Sequence, residues 1–100
     1  GLNVYPKEVE SVIDSLPGVK ESAVIGLPHS DFGEKVCGIV ITEQGKQLSE
    51  VEILRKLKSI LANFKIPKEI YFMEELPRNS MGKVQKKILR EKFGQLEQIQ

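Results

Sequence analysis

Lys83 stands directly after Gly82 in the run Leu76-Pro77-Arg78-Asn79-Ser80-Met81-Gly82-Lys83-Val84-Gln85-Lys86-Lys87. The run starts where the apolar segment Ile70 to Met73 gives way to Glu74, Glu75 and a proline, and it ends inside a basic, helix-like segment. Asn79 and Ser80 favour turns because their side chains hydrogen-bond nearby backbone, and Gly82 because its dihedral angles are free. Such a segment is expected to hold Lys83 out from the body of the domain and let it move. On chemistry alone two readings stand side by side: a lysine presented to an anion, and an ordinary solvated lysine.

Other chemistries find little support in the residue types. His29 is the only histidine and Cys37 the only cysteine, so neither a metal site nor a Ser/His/Asp set can be assembled around them. His29 reads as a loop residue. Glu74 and Glu75 would point to opposite faces if the strand before them continued, so they do not form a working carboxylate pair. The Gly82-Lys83 pair resembles part of a phosphate loop, but that motif needs glycine where Pro77 stands and Ser or Thr where Val84 stands.

The formal net charge of +1 hides an asymmetry. Residues 78–92 carry six basic side chains (Arg78, Lys83, Lys86, Lys87, Arg90, Lys92) against Glu91 alone, whereas the rest of the chain is net acidic. A non-catalytic module binding an anionic partner through residues 78–92 is therefore the contrasting functional class, with a solvated basic helix face as the plain alternative. Nucleic acid is not the expected partner, because aromatic residues are not interleaved with the basic ones and the whole chain is nearly neutral.

Apolar periodicity supplies the elements that must position the lysine. Pro6 fits the first position of a helix, with Glu8 able to reach back to the unpaired amides of the first turn. Val9, Val12, Ile13 and Leu16 form one face, and Pro17-Gly18 ends it. Val19 to Leu27 and Val36 to Thr42 read as an antiparallel strand pair, although about eight intervening residues exceed a tight loop of ~2–5. Ser49-Glu50-Val51-Glu52 has the form of a capping box before a second apolar stripe, Ile53, Leu54, Leu57, Ile60 and Leu61. Glu69 to Met73 reads as a third strand. A last helix over residues 85–93 turns Ile88, Leu89 and Phe93 inward, and residues 94–100 read as a frayed tail. The order α-β-β-α-β-α predicts an α+β fold, with helices packed on a small three-stranded sheet.

One hundred residues, 40% hydrophobic and 29% charged, fit one small soluble domain spanning residues 1–100. Ala23 to Leu27 is an apolar run of only five residues counting Gly26, far short of a membrane span. A lone cysteine excludes an internal disulfide and suits a reducing cytoplasm. The opening Gly1-Leu2-Asn3, without methionine, reads as the start of a fragment.

Four segments carry a resemblance to a known family. Gly1-Leu2-Asn3-Val4-Tyr5-Pro6-Lys7-Glu8-Val9-Glu10 resembles G-x-x-[IV]-x-P-x-E-[IV]-E, and Ala23-Val24-Ile25-Gly26-Leu27-Pro28 followed by Gly33-Glu34 resembles A-V-x-G-x-P…G-[EQ]. Phe64-Lys65-Ile66-Pro67 is similar to Y-K-x-P, with Phe where Tyr is commoner, and Leu76 to Val84 is similar to L-P-[RK]-[TN]-x-x-G-K-[IV]. In order and at the right separations, they resemble the motifs of the C-terminal domain of the adenylate-forming superfamily. That superfamily includes acyl-CoA synthetases, the adenylation domains of peptide synthetases and firefly luciferase.

The resemblance implies a role for Lys83 as the lysine that enters the active site while a carboxylate attacks the α-phosphate of ATP. It also implies a domain that swings about a hinge between acyl-adenylate formation and thioester formation with CoA. Gly82 belongs to the same loop, and Gly1 and Asn3 are carried over as candidates on the CoA side. ATP, CoA and a small carboxylic acid are the implied substrates. Mg2+ would be held with ATP by a large N-terminal domain of the same polypeptide, and the first strand and hinge would precede Gly1. The fragment alone is expected to bind none of these and to catalyse nothing. The opening Asn3-Val4-Tyr5-Pro6 leans toward an AMP-forming acyl-CoA ligase of fatty acid metabolism, with a peptide-synthetase subdomain as the alternative.

Overall fold

The computed structural model describes residues 5–29 and 33–99, with side chains as far as Gly94. Its elements are α1 (Pro6–Asp14), β1 (Val19–His29), β2 (Gly33–Thr42), α2 (Glu50–Lys58), a single 3-10 turn (Asn63–Lys65), β3 (Glu69–Phe72) and α3 (Lys86–Ile99). The α-β-β-α-β-α order and the three-stranded sheet are those expected from the sequence. The central strand β2 pairs antiparallel with β1 and parallel with β3, so α2 forms the crossover that a parallel connection requires.

Helices cover both faces of the sheet. On one face Val24, Val40 and Ile70 pack with Val9, Ile13 and Leu16 from the α1 segment, and with Ile53, Leu57 and Leu61 from the α2 segment. On the other, Ala23, Ile25, Leu27, Cys37, Ile39 and Ile41 pack with Leu76, Leu89 and Phe93. The alternation along β1 and β2 sends successive side chains into different cores. Burial on both sides explains why Val36 to Ile41 reads as a nearly unbroken apolar run. A side chain at Gly38 would make the tip of Ile70 shift. A Cβ there would lie 2.9 Å from Ile70 Cδ1 and 3.5 Å from Ile13 Cδ1.

Both edge strands are capped by helix carboxylates. Glu10 on α1 accepts the Val24 N–H at 2.7 Å, and Glu50 on α2 accepts the Ile70 N–H at 2.8 Å. Each occupies an edge donor that would otherwise be open to another strand. A partly buried ion pair joins β2 and β3 as well: Lys35, 5% exposed, holds Glu69 at 2.8 Å, and the Tyr71 hydroxyl donates to the same carboxylate.

Several local expectations are corrected. Pairing of β1 with β2 continues to His29↔Gly33, leaving residues 30–32 between the strands in place of a connection of about eight. His29 therefore closes a strand and is not a loop residue. Glu8 does not cap α1. The Tyr5 carbonyl accepts from the Glu8 and Val9 amides, while the Glu8 carboxylate holds Lys65 Nζ at 2.7 Å. A full ammonium outcompetes the partial charge of the helix end. Ile60 lies past the end of α2 and is 54% exposed, and Ile88 is 50% exposed because the buried stripe of α3 is carried by Leu89 and Phe93, one turn apart. β3 stops at Phe72, and the backbone of α3 remains helical to Ile99. The capping box at Ser49 is formed in both directions.

Candidate functional site: the Gly82-Lys83 turn

Leu76, 4% exposed, anchors the entry to the turn in the α3-side core. Beyond it the chain doubles back as a small hairpin: Arg78 bridges Val84, the Asn79 amide donates to the Lys83 carbonyl at 3.0 Å, and the Gln85 amide donates to the Pro77 carbonyl at 2.9 Å. Ser80, Met81 and Gly82 form the three-residue tip. The Gly82 amide returns to the Asn79 carbonyl at 2.9 Å. Gly82 has φ +84°, as a type I turn closed by a left-handed residue demands. No atom lies within 4 Å of where its Cβ would be, so the requirement for glycine there is one of dihedral angle and not of space.

Asn79 is the organiser of this turn. Its Oδ1 accepts the Met81 and Lys83 amides, each at 3.0 Å. Arg78 works from outside: Nη1 donates to the Gly82 carbonyl at 2.8 Å, and Nη2 is paired with Glu21 on β1. At the far end Lys86 Nζ lies 2.7 Å from Glu10 Oε2, and Gln85 Nε2 donates to the Lys83 carbonyl at 3.0 Å. The expectation of a flexible segment is thereby corrected, since polar residues that favour turns have here satisfied one another. The backbone at Lys83 is braced. Its side chain is exposed and makes no ion pair among the described residues.

Lys83 faces an open groove of about 620 Å³ lined by Lys7, Glu10, Asn79, Val84, Gln85 and Lys86. Lys86 is neutralised by Glu10, which leaves Lys7 and Lys83 as its unpaired cations among the described residues. Behind the turn lies an acidic patch of Glu10, Asp14 and Glu21. Burial raises the Asp14 carboxyl above its ordinary range; a hydrogen bond from Ser22 opposes this, and Glu10 and Glu21 add to it.

Of the residues singled out in the sequence, Lys83 and Gly82 sit together at the turn, whereas Gly1 and Asn3 lie outside the described residues. Two of the six basic residues in 78–92, Arg78 and Lys86, are turned inward to carboxylates. Glu10 entered the sequence reading only as part of a motif, and Glu21 not at all. Its partner is 57 positions away, and no periodicity announces a pair at that separation. Among the described residues no three His, Cys, Asp or Glu side chains converge as a metal site, and no helix is long and apolar enough to cross a membrane.

The sequence pattern of the AMP-binding enzyme C-terminal domain matches residues 8–83, running from α1 to the lysine of the turn. The chain belongs to that family. A long-chain-fatty-acid–CoA ligase, FadD13 of Mycobacterium tuberculosis, is 47% identical over 94 residues, covering 94% of this chain and 18% of its own length. The 3-[(3aS,4S,7aS)-7a-methyl-1,5-dioxo-octahydro-1H-inden-4-yl]propanoyl:CoA ligase of Rhodococcus jostii is also 47% identical, over 91 residues, covering 91% of this chain and 18% of its own. The ATP-bound crystal structure of MatB from Rhodopseudomonas palustris superposes with TM-score 0.93 at 52% identity, covering 97% of this chain and 19% of the other. This AMP-binding C-terminal domain thus spans about a fifth of the length of the relatives it matches.

Proposed function

We infer that this domain serves an AMP-forming acyl-CoA ligase, an acid–thiol ligase, in which Lys83 supplies positive charge to the first of two half-reactions. A carboxylate oxygen attacks the α-phosphorus of ATP, and the bond to the bridging oxygen of pyrophosphate breaks. The CoA thiol then loses its proton and attacks the acyl carbonyl, and AMP leaves. In the first step two anions meet and charge builds on the α-phosphate and on the departing pyrophosphate. An unpaired ammonium brought to that point is a charge-assisted donor in a setting where charges act strongly. The observation that carries the reading is the exposed, unpaired Lys83 on a braced turn within the family's Gly-Lys motif.

The larger N-terminal part of the same polypeptide would hold ATP and the acid. Mg2+ would come with the nucleotide, and no step of Lys83 depends on a metal held by this domain. The carboxylic acid would be bound there too. Gly1 and Asn3 are proposed for the CoA side, and the isolated chain would be inactive. The cytoplasm, with its ATP and CoA, is the compartment that fits this chemistry. Two relatives named as CoA ligases support CoA as acceptor over the carrier thiol of a peptide synthetase.

The test is to replace Lys83 in the whole enzyme. Lys83→Ala is expected to slow acyl-adenylate formation on the order of 10²-fold or more, the size seen when one preorganised donor to a developing charge is removed. Thioester formation from supplied acyl-adenylate should be nearly intact. Equal damage to both half-reactions would remove the special role of Lys83. A steeply salt-dependent shift of an oligonucleotide by the chain would favour the anion-binding module instead.

A further inference from the structure

We propose that Glu10 and Glu21 are positioning residues for Lys83, acting as a two-point electrostatic clamp that fixes the Gly-Lys turn on the body of the domain. The inference rests on the role proposed for Lys83 and adds what makes that role possible.

The two glutamates take opposite ends of the turn. Glu21, on edge strand β1, pairs with Arg78 five residues before Lys83. Glu10, on α1, pairs with Lys86 three residues after it. Between these points Lys83 is joined to the clamp through backbone. Arg78 uses one arm of its guanidinium on Glu21 and the other on the Gly82 carbonyl, which belongs to the peptide group directly before Lys83. A planar fork binds two acceptors in fixed relation. Glu10 is similarly divided, its Oε2 accepting both the Val24 amide at 2.7 Å and Lys86 Nζ at 2.7 Å. A carboxylate fixed to a sheet amide is a stationary anchor for an ammonium. At 17% side-chain exposure, Glu10 is also shielded from the solvent that weakens surface pairs.

The arrangement has a cost that suggests a purpose beyond cohesion. The Asp14 carboxyl, raised chiefly by burial, is pushed up further by Glu10 and Glu21, so the three acids repel one another. Two of them pair with cations that flank the turn, Glu21 with Arg78 and Glu10 with Lys86. The turn's own hydrogen bonds define its shape; among the described residues these two pairs, together with Val84 packed on the α3-side core, tie that shape to β1 and α1. A lysine carried into an active site by a rigid-body movement of its domain needs such a tie, because a misplacement of about 1 Å can cost ~10²-fold in rate.

The experiment uses the full-length enzyme with the isosteric variants Glu10→Gln and Glu21→Gln, each alone and combined with Lys83→Ala. Each single variant is expected to lower kcat for acyl-adenylate formation about 10-fold, a partial form of the misplacement penalty, with KM for ATP nearly unchanged and thioester formation intact. Because the glutamates act through Lys83, adding either to Lys83→Ala should cause little further loss. Hydrogen exchange of the peptide covering residues 78–87 should accelerate several-fold in both variants, while peptides of β1 and β2 stay protected. Equal slowing of both half-reactions, full additivity with Lys83→Ala, or unchanged exchange across 78–87 would each overturn the clamp. If Lys83→Ala itself left adenylate formation normal, the proposed role of Lys83 would fall, and the exchange result would still decide whether the glutamates hold the turn.

Discussion

Lys83 owes its position to its neighbours in the turn. Asn79 collects two amides with one side-chain oxygen, Gly82 accepts a left-handed dihedral, and Arg78 spans a strand and a carbonyl, so the only long unpaired side chains at the tip are Met81 and Lys83. At the same scale Asp14 reports on the acidic patch behind the turn. Its folded-state proton affinity is raised above the ordinary carboxylate value of 3.8, chiefly by burial, with Glu10 and Glu21 contributing. The folded chain therefore binds this proton more tightly than the unfolded chain. Asp14 removes stability as pH rises from 3.8 through the raised value, and the loss persists above it. Asp14→Asn keeps an oxygen to accept from Ser22 while deleting the charge. It should leave stability near pH 3.8 little changed and raise it slightly at neutral pH, the gain being small because the side chain is only partly buried. Urea midpoints for the two chains from acid to neutral pH check this, and parallel profiles would show that Asp14 titrates normally.

The elements were the most legible part of the sequence, and the reason is local. Period-2 and period-3.6 patterns report which residues face a core, and Pro6, Pro17-Gly18 and Ser49 mark ends through backbone chemistry that needs no distant partner. The Ser49 capping box shows how far this goes. Ser49→Ala removes one of two reciprocal bonds and should cost ~1 kcal/mol by denaturant unfolding. Leu57→Ala in the last turn of the same helix should cost ~2–5 kcal/mol, since it leaves a cavity among Ile53 and its neighbours. A neutral Ser49→Ala would mean the cap is redundant. What periodicity could not report is anything set by tertiary partners. Ile60 matches the stripe of α2 but falls beyond its last turn, Ile88 matches that of α3 but lies at the rim of its buried stripe, and Glu8 reads as a cap until Lys65 arrives from 57 residues away. The turn was legible in its residue types and misread in its mechanics. Asn79 and Gly82 favour a turn through the same side-chain oxygen and dihedral freedom that hold it once it has closed.

At the scale of the whole molecule, the proposed role asks this domain to deliver charge and not to choose the acid. It presents an unpaired lysine on a braced turn beside an open groove. It is equally similar, at 47% identity, to a ligase named for long-chain fatty acids and to one named for a bicyclic propanoyl acid. Domains that select an acid should diverge when the acid changes this much; a domain that delivers charge to a phosphate shared by every substrate has no such reason. Grafting this chain in place of the matching C-terminal segment of the long-chain ligase should therefore preserve the host's ranking of acids by kcat/KM, with any loss falling evenly across them. Selectivity is a difference of transition-state stabilisation between competing acids, and a residue that contacts only the phosphate contributes equally to both terms. A graft that shifted the host's ranking would show that this domain touches the acyl chain, and would make the exposed Met81 beside Lys83 the first residue to examine.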